Sequence, residues 1–174
     1  MKILEEKTLS SEVKYTGCIV NVRQDDVLLS NGQKHHREVV EHPGGVVIIP
    51  VMDNRIILIR QWRYPVKGEL IELPAGKLNK GEDPFLAAKR ELTEETGYVA
   101  KKWEPLGFTY TTPGFCDEKL YFYKASKLDY RETNFDFGEI IEPYVIDIDH
   151  AINMVKNGKI VDAKTIIGLS LINI

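Results

Sequence analysis

Short alternating or unbroken apolar stretches recur along the chain and predict strands over residues 18–23, 27–29, 37–41, 46–51, 56–62 and 70–73. Turn-forming Ser30-Asn31-Gly32 and Asp53-Asn54 separate several of them. Further strands are predicted near 103–111, 119–124 and 144–147. Helical signals end the chain at about 150–157, with Asp149 as N-cap and Gly158 beyond, and at about 163–172. The sharpest helix is predicted at about 84–96. Asp83 suits the N-cap, Pro84 the first helical position, and Gly97 the left-handed residue after the last turn. Strands with a few outer helices imply an α+β or α/β sandwich.

At about 100° per residue, that helix carries Phe85, Ala88, Leu92 and Thr96 on one side and Glu91, Glu94 and Glu95 on the adjoining side. Glu91 and Glu95 form a like-charge i,i+4 pair, unfavourable by roughly 0.2–0.5 kcal/mol. A solvated helix face would normally carry Lys or Arg four residues after Glu; here only Arg90, four before Glu94, offers relief. With Glu82 nearby, converging carboxylates suit a hard divalent cation such as Mg2+, which keeps several waters and is shared with substrate phosphates. The helix therefore predicts metal-dependent phosphate chemistry.

Composition narrows the setting. At 174 residues the chain fits one domain. A net charge of −3 and pI near 5.9 give no electrostatic reason to expect nucleic acid or an anionic membrane as partner. Cys18 and Cys116 make neither a disulfide framework nor a zinc site, and His35 and His36, adjacent on a strand, point to opposite faces, so no zinc is expected. With no signal-peptide pattern and no apolar run near the roughly 20 residues that span a bilayer, a reducing cytoplasm is the expected location.

The motif Gly76, five residues, Glu82, seven residues, then Arg90-Glu91-Leu92-Thr93-Glu94-Glu95-Thr96-Gly97-Tyr98 resembles the Nudix box, with Tyr98 where that family usually has an aliphatic residue. The flanks resemble its ADP-ribose pyrophosphatase branch: Pro113 stands 16 residues after Gly97, within Thr112-Pro113-Gly114-Phe115. Segments 37–44, 61–65, 72–77 (ELPAGK) and Asp162-Ala163-Lys164-Thr165 agree. The resemblance implies an α/β fold, the αβα sandwich with a mixed sheet. It also implies an N-terminal β segment at 1–42 acting as a dimerisation arm, and a hydrolase domain at 43–174. The implied activity is Mg2+-dependent hydrolysis of ADP-ribose to AMP and ribose 5-phosphate by a homodimer, with Mn2+ as the alternative ion. Another nucleoside diphosphate derivative, a nucleotide sugar or dinucleotide, is the neighbouring expectation. A non-catalytic ADP-ribose sensor is the other, and the complete glutamate set argues against it.

By that resemblance Glu91 and Glu95 are direct metal ligands, Glu94 an additional one, the Ala75 carbonyl a backbone ligand and Glu82 a peripheral one. Arg90 orients the carboxylates. Arg63 is assigned to the substrate diphosphate, which a guanidinium grips bidentately. Pro113-Gly114 is read as a substrate loop, although such a pair is also an ordinary turn. Arg37 either reaches phosphate across a dimer interface or faces solvent. Trp62 and Phe115 stay unassigned. The general base is sought at 136–142, Glu139 first, Glu142 second and Asp136 third, with Phe137 where another acid is expected; a solvated surface loop is the alternative reading.

Overall fold

The computed structural model describes residues 4–131 and 140–172, and its contacts divide the chain into two units. One runs to Gly44 and includes Tyr110–Lys119; the other combines Gly45–Thr109 with the chain from Leu120 onward. Glu139 and Asp136 lie outside the described residues.

The first unit is an antiparallel sheet of β1 (Lys7–Thr16), β2 (Asn21–Leu28) and β3 (Lys34–Glu41), in that order. The apolar pattern does not announce β1, because KTLSSEVKYT is exposed along its whole length. Its strand state comes from pairing with β2, from Lys7 opposite Leu28 to Thr16 opposite Asn21. Strand β2 is continuous where two pieces were expected, because Asp25, which interrupts the apolar pattern, is buried and paired with Arg23. Residues 115–117 lie along β3: Val40 donates its N–H to the Phe115 carbonyl at 2.7 Å, and Asp117 donates to the Val40 carbonyl at 3.1 Å.

The second unit contains β4 (Gly45–Met52), β5 (Arg55–Arg63), β6 (Gly68–Glu72), β7 (Ala75–Lys77), β8 (Tyr98–Tyr110), β9 (Lys119–Tyr130) and β10 (Ile141–Asp147). The order is β10-β5-β4-β9-β8, with β6 paired to β5 and β7 to β4. β4 runs parallel to β9 and antiparallel to β5 and β7, so the sheet is mixed. Successive β4 side chains point to opposite faces. Val46 and Ile48 pack with Ala87, Ala88 and Leu92 of α1 (Pro84–Thr96). Val47 and Ile49 join a second core with Ala151 of α2 (Ile148–Lys156) and Leu169 of α3 (Ala163–Leu171). Helices therefore cover both faces, which is the αβα sandwich expected from the sequence.

Helix α1 has the predicted bounds. The Asp83 side chain accepts from the Phe85 and Leu86 amides at 3.0 and 3.1 Å, and Gly97 closes the helix at φ 74°. Ala88, Leu92 and Thr96 are buried as expected, while Phe85 is half-buried against Trp103 and Tyr123. Helix α2 starts earlier than expected, with Asp147 at the N-cap position and Asp149 inside the first turn, where a carboxylate favours the positive end of the helix. Among the described residues no helix is long and apolar enough to cross a membrane.

The Asp83 cap satisfies amides that the first turn otherwise leaves open. Asp83→Ala is expected to cost about 1 kcal/mol, read as a lowered midpoint in urea unfolding with an unchanged slope.

Candidate active site

The sharp caps of α1 fix which way its glutamates face. Glu91 and Glu95 are buried, 9% and 3% exposed, so this side of the helix is not a solvated face. The Ala75 N–H donates to a Glu95 carboxylate oxygen at 2.9 Å. Gly76 makes room for Glu91: a Cβ there would stand 1.9 Å from the Glu91 carboxyl carbon. The glycine that opens the Nudix-like motif thus lets a carboxylate lie against the backbone of β7.

Arg90 ties the rest together. Its Nε and Nη2 form a fork on Glu82 at 3.0 and 3.1 Å, while Nη1 donates to Glu91 at 2.7 Å and Glu94 at 2.8 Å. Glu82 also accepts from the Asn79 amide at 2.9 Å. The Arg90 hydrogen bonds, more than any other influence, hold the Glu82 carboxyl below its ordinary value, and the same contacts push Arg90 upward. Among the described residues no three His, Cys, Asp or Glu side chains are spaced as metal ligands; three of the four carboxylates instead face this guanidinium. The donor set still fits a hard divalent ion, since it consists of carboxylates around a cradle that a Cβ at Gly76 would fill.

The other expected residues are distributed as follows. Arg63, at the end of β5, forks onto Glu72, with Nε to Oε1 at 2.8 Å and Nη2 to Oε2 at 2.7 Å. Arg37 forks onto Glu6 at 2.8 and 2.6 Å in the first unit. Pro113 and Gly114 are exposed in a turn of the same unit, closed by the Phe115 and Cys116 amides on the Thr112 carbonyl. Glu142 lies on β10, mostly exposed and bonded to Arg60. Trp62 and Phe115 are exposed, at 62% and 56%.

Sequence reasoning missed the roles of Glu72 and Lys164, although it singled out both segments that contain them. Glu72 is fully buried at the end of β6. Lys164, in the first turn of α3, also donates to it and stands 3.1 Å from Asp162. Burial, the largest single influence, raises the Glu72 pKa, but Arg63 and Lys164 together outweigh it and hold the group below its ordinary value. The available signal was one acid within the apolar run LIELP, since a buried charge requires partners.

Comparison with known proteins bears on the whole chain. Residues 41–167 match the NUDIX domain, and residues 6–45 match the nucleoside diphosphate sugar hydrolase N-terminal domain. An ADP-ribose pyrophosphatase of Bacillus subtilis (strain 168) is 41% identical over 95% of this chain and 91% of its own length. A methanol dehydrogenase activator of Bacillus methanolicus is 40% identical over 99% of this chain and 95% of its own. The crystal structure of an ADP compounds hydrolase superposes with a TM-score of 0.87 over 99% of this chain and 95% of that one. At 23% identity, that last likeness is one of fold.

Glu72 lies below the ordinary glutamate value of 4.5, so the unfolded chain takes up this proton first as pH falls. The stabilisation is therefore complete above pH 4.5 and fades as pH drops through the lower folded-state value. Glu72→Gln is expected to cost about 3–5 kcal/mol near pH 7. Urea unfolding in steps below pH 4.5 should show the gap to wild type narrowing.

Proposed function

The chain belongs to the Nudix family, and from that premise we propose that it hydrolyses the diphosphate of ADP-ribose to AMP and ribose 5-phosphate with Mg2+, or alternatively Mn2+, as cofactor. The observation that carries the chemistry is the pair of buried carboxylates, Glu91 and Glu95, held against the β7 backbone. The substrate reading is supported by the 41% identity to the Bacillus subtilis ADP-ribose pyrophosphatase.

In this reading Glu91 and Glu95 hold the cation, with Glu94 and the Ala75 carbonyl beside them and Glu82 at the periphery. Bound there, a divalent cation acidifies water and offsets charge on the phosphoryl oxygens. Arg90 keeps the carboxylates in register through its three contacts. Water adds to one phosphorus, the bridging P–O bond breaks, and a carboxylate takes the water's proton. Glu139 is the first candidate for that base and Glu142, which Arg60 already engages, the second. Arg63 grips the diphosphate, Pro113-Gly114 is read as a substrate loop, and Arg37 either reaches phosphate across a dimer interface or faces solvent. The β segment at 1–42 forms the dimerisation arm of a homodimer working in a reducing cytoplasm.

The match of residues 6–45 to a nucleoside diphosphate sugar hydrolase N-terminal domain favours one second reading, a nucleotide sugar as substrate. The deciding experiment incubates the protein and Mg2+ with ADP-ribose, a nucleotide sugar, ATP and a diadenosine polyphosphate in parallel. Preferential ADP-ribose cleavage supports the proposal, a preferred nucleotide sugar selects the second reading, and binding without hydrolysis rejects an enzyme.

Partners beyond the ligand shell are worth 10–100-fold, so Glu95→Gln is expected to lower kcat by at least about a hundredfold with the circular dichroism spectrum unchanged. Gly76→Ala should act in the same direction by displacing Glu91. Rates of Glu139→Gln and Glu142→Gln locate the base: the larger loss is expected in Glu139→Gln, and two fully active variants would remove the base from this segment.

A further inference from the structure

Glu72 joins β5, β6 and the start of α3 in one polar thread. Arg63 grips it from β5 through Nε and Nη2. Lys164 reaches its Oε2 from α3 and is itself 3.1 Å from Asp162. The Asp162 carboxylate caps α3, accepting from the Thr165 amide at 3.0 Å and its hydroxyl at 2.6 Å. The Thr165 oxygen in turn accepts from the Leu73 amide at 2.8 Å. Two cations and two anions balance.

A guanidinium offers five N–H donors in a flat fork. Glu72 takes one edge, Nε with one Nη2 hydrogen. The remaining edge, Nη1 with the other Nη2 hydrogen, has no hydrogen bond among the described residues, and the side chain is 39% exposed. A second bidentate contact with a flat array of phosphate oxygens is thus available without breaking the first. Because the carboxylate already fixes the fork, binding immobilises little additional side-chain freedom. Glu72 is also near the acidic cluster along the chain: Ala75, whose amide binds Glu95, is three residues further on, at most about 11 Å of extended backbone. The hydrogen bonds to Glu72 push the Arg63 pKa up, and the charges of Glu95 and Asp162 add to that shift, so the guanidinium feels the acidic helix.

Resting on the reading of this site as a nucleoside diphosphate hydrolase, we infer that Glu72 and Lys164 are positioning residues that hold Arg63 with its Nη1/Nη2 edge toward the substrate diphosphate. Lys164 keeps the Glu72 carboxylate from drawing the guanidinium inward as its sole counter-charge. Neither residue touches substrate.

The test is steady-state kinetics on ADP-ribose with Mg2+, with thermal melting alongside, for wild type, Arg63→Ala, Arg63→Lys, Glu72→Gln, Lys164→Met, Lys164→Arg and the double variant Arg63→Ala with Glu72→Gln. A charge-assisted bidentate contact sets the scale, so Arg63→Ala should raise KM roughly ten- to a hundredfold and change kcat less. Arg63→Lys should not rescue, because an ammonium has no second edge. Glu72→Gln should raise KM in the same direction, and the double variant should be no worse than Arg63→Ala alone. If Glu72→Gln does not fold, Lys164→Met carries the test: a raised KM, restored by Lys164→Arg, is expected. An active wild type with an unmoved KM in Arg63→Ala, multiplying effects in the double variant, or Lys164→Met with lowered melting but wild-type KM would each overturn the inference while leaving the function intact. Wild type inert toward every diphosphate tested would overturn the function itself.

Discussion

The site hangs on residues 72–76, a stretch in which every residue is held from outside the stretch. Arg63 and Lys164 fasten the Glu72 carboxylate, and the Thr165 hydroxyl takes the Leu73 amide. The Ile48 amide binds the Pro74 carbonyl at 2.8 Å, Glu95 takes the Ala75 amide, and Glu91 lies against Gly76. Gly168 of α3 lets Leu73 pack closely, since a Cβ there would meet Leu73 Cδ1 at 2.3 Å. One short segment therefore carries the positions of helices on both faces of the sheet into the same place. Interiors are dense enough that a shift at one of these points is felt at the others.

Two charge clusters flank this segment, and their balance differs. Around Glu72 two cations meet two carboxylates in a buried setting, the condition under which a buried ion pair is tolerable. Around Arg90 one guanidinium faces Glu82, Glu91 and Glu94, with Glu95 a turn further on. The first arrangement is suited to holding a structure still. The second carries more acid than base, which is the electrostatic reason a divalent cation is proposed there and not beside Glu72.

How much was legible in the sequence depended on the range of the forces involved. Helix α1 was readable to its ends because Asp83, Pro84 and Gly97 act within a turn of themselves, and its glutamates were visible as a group because one helix carries them all. Strand β4 was readable because GVVIIPVM is apolar on both faces and covered on both. Strand β1 was not, since its exposed side chains leave no burial pattern and only backbone pairing makes it a strand. The Glu72–Lys164 contact spans 92 positions, and no local pattern reports such a partner. Arg63 was singled out by type, but the edge it gives to Glu72 is something only the folded chain reveals.

The Ala75 amide binds a side chain that belongs to the candidate metal cluster, and the Leu73 amide binds the Thr165 hydroxyl at the foot of α3. These two backbone protons, two residues apart, sense opposite faces of the sheet. In a nitrogen–proton correlation spectrum their resonances would serve as paired internal probes, Ala75 following whatever the Glu95 carboxylate binds and Leu73 following the seating of α3. The molecule thus contains its own means of separating events at the acidic helix from movements of the scaffold behind it.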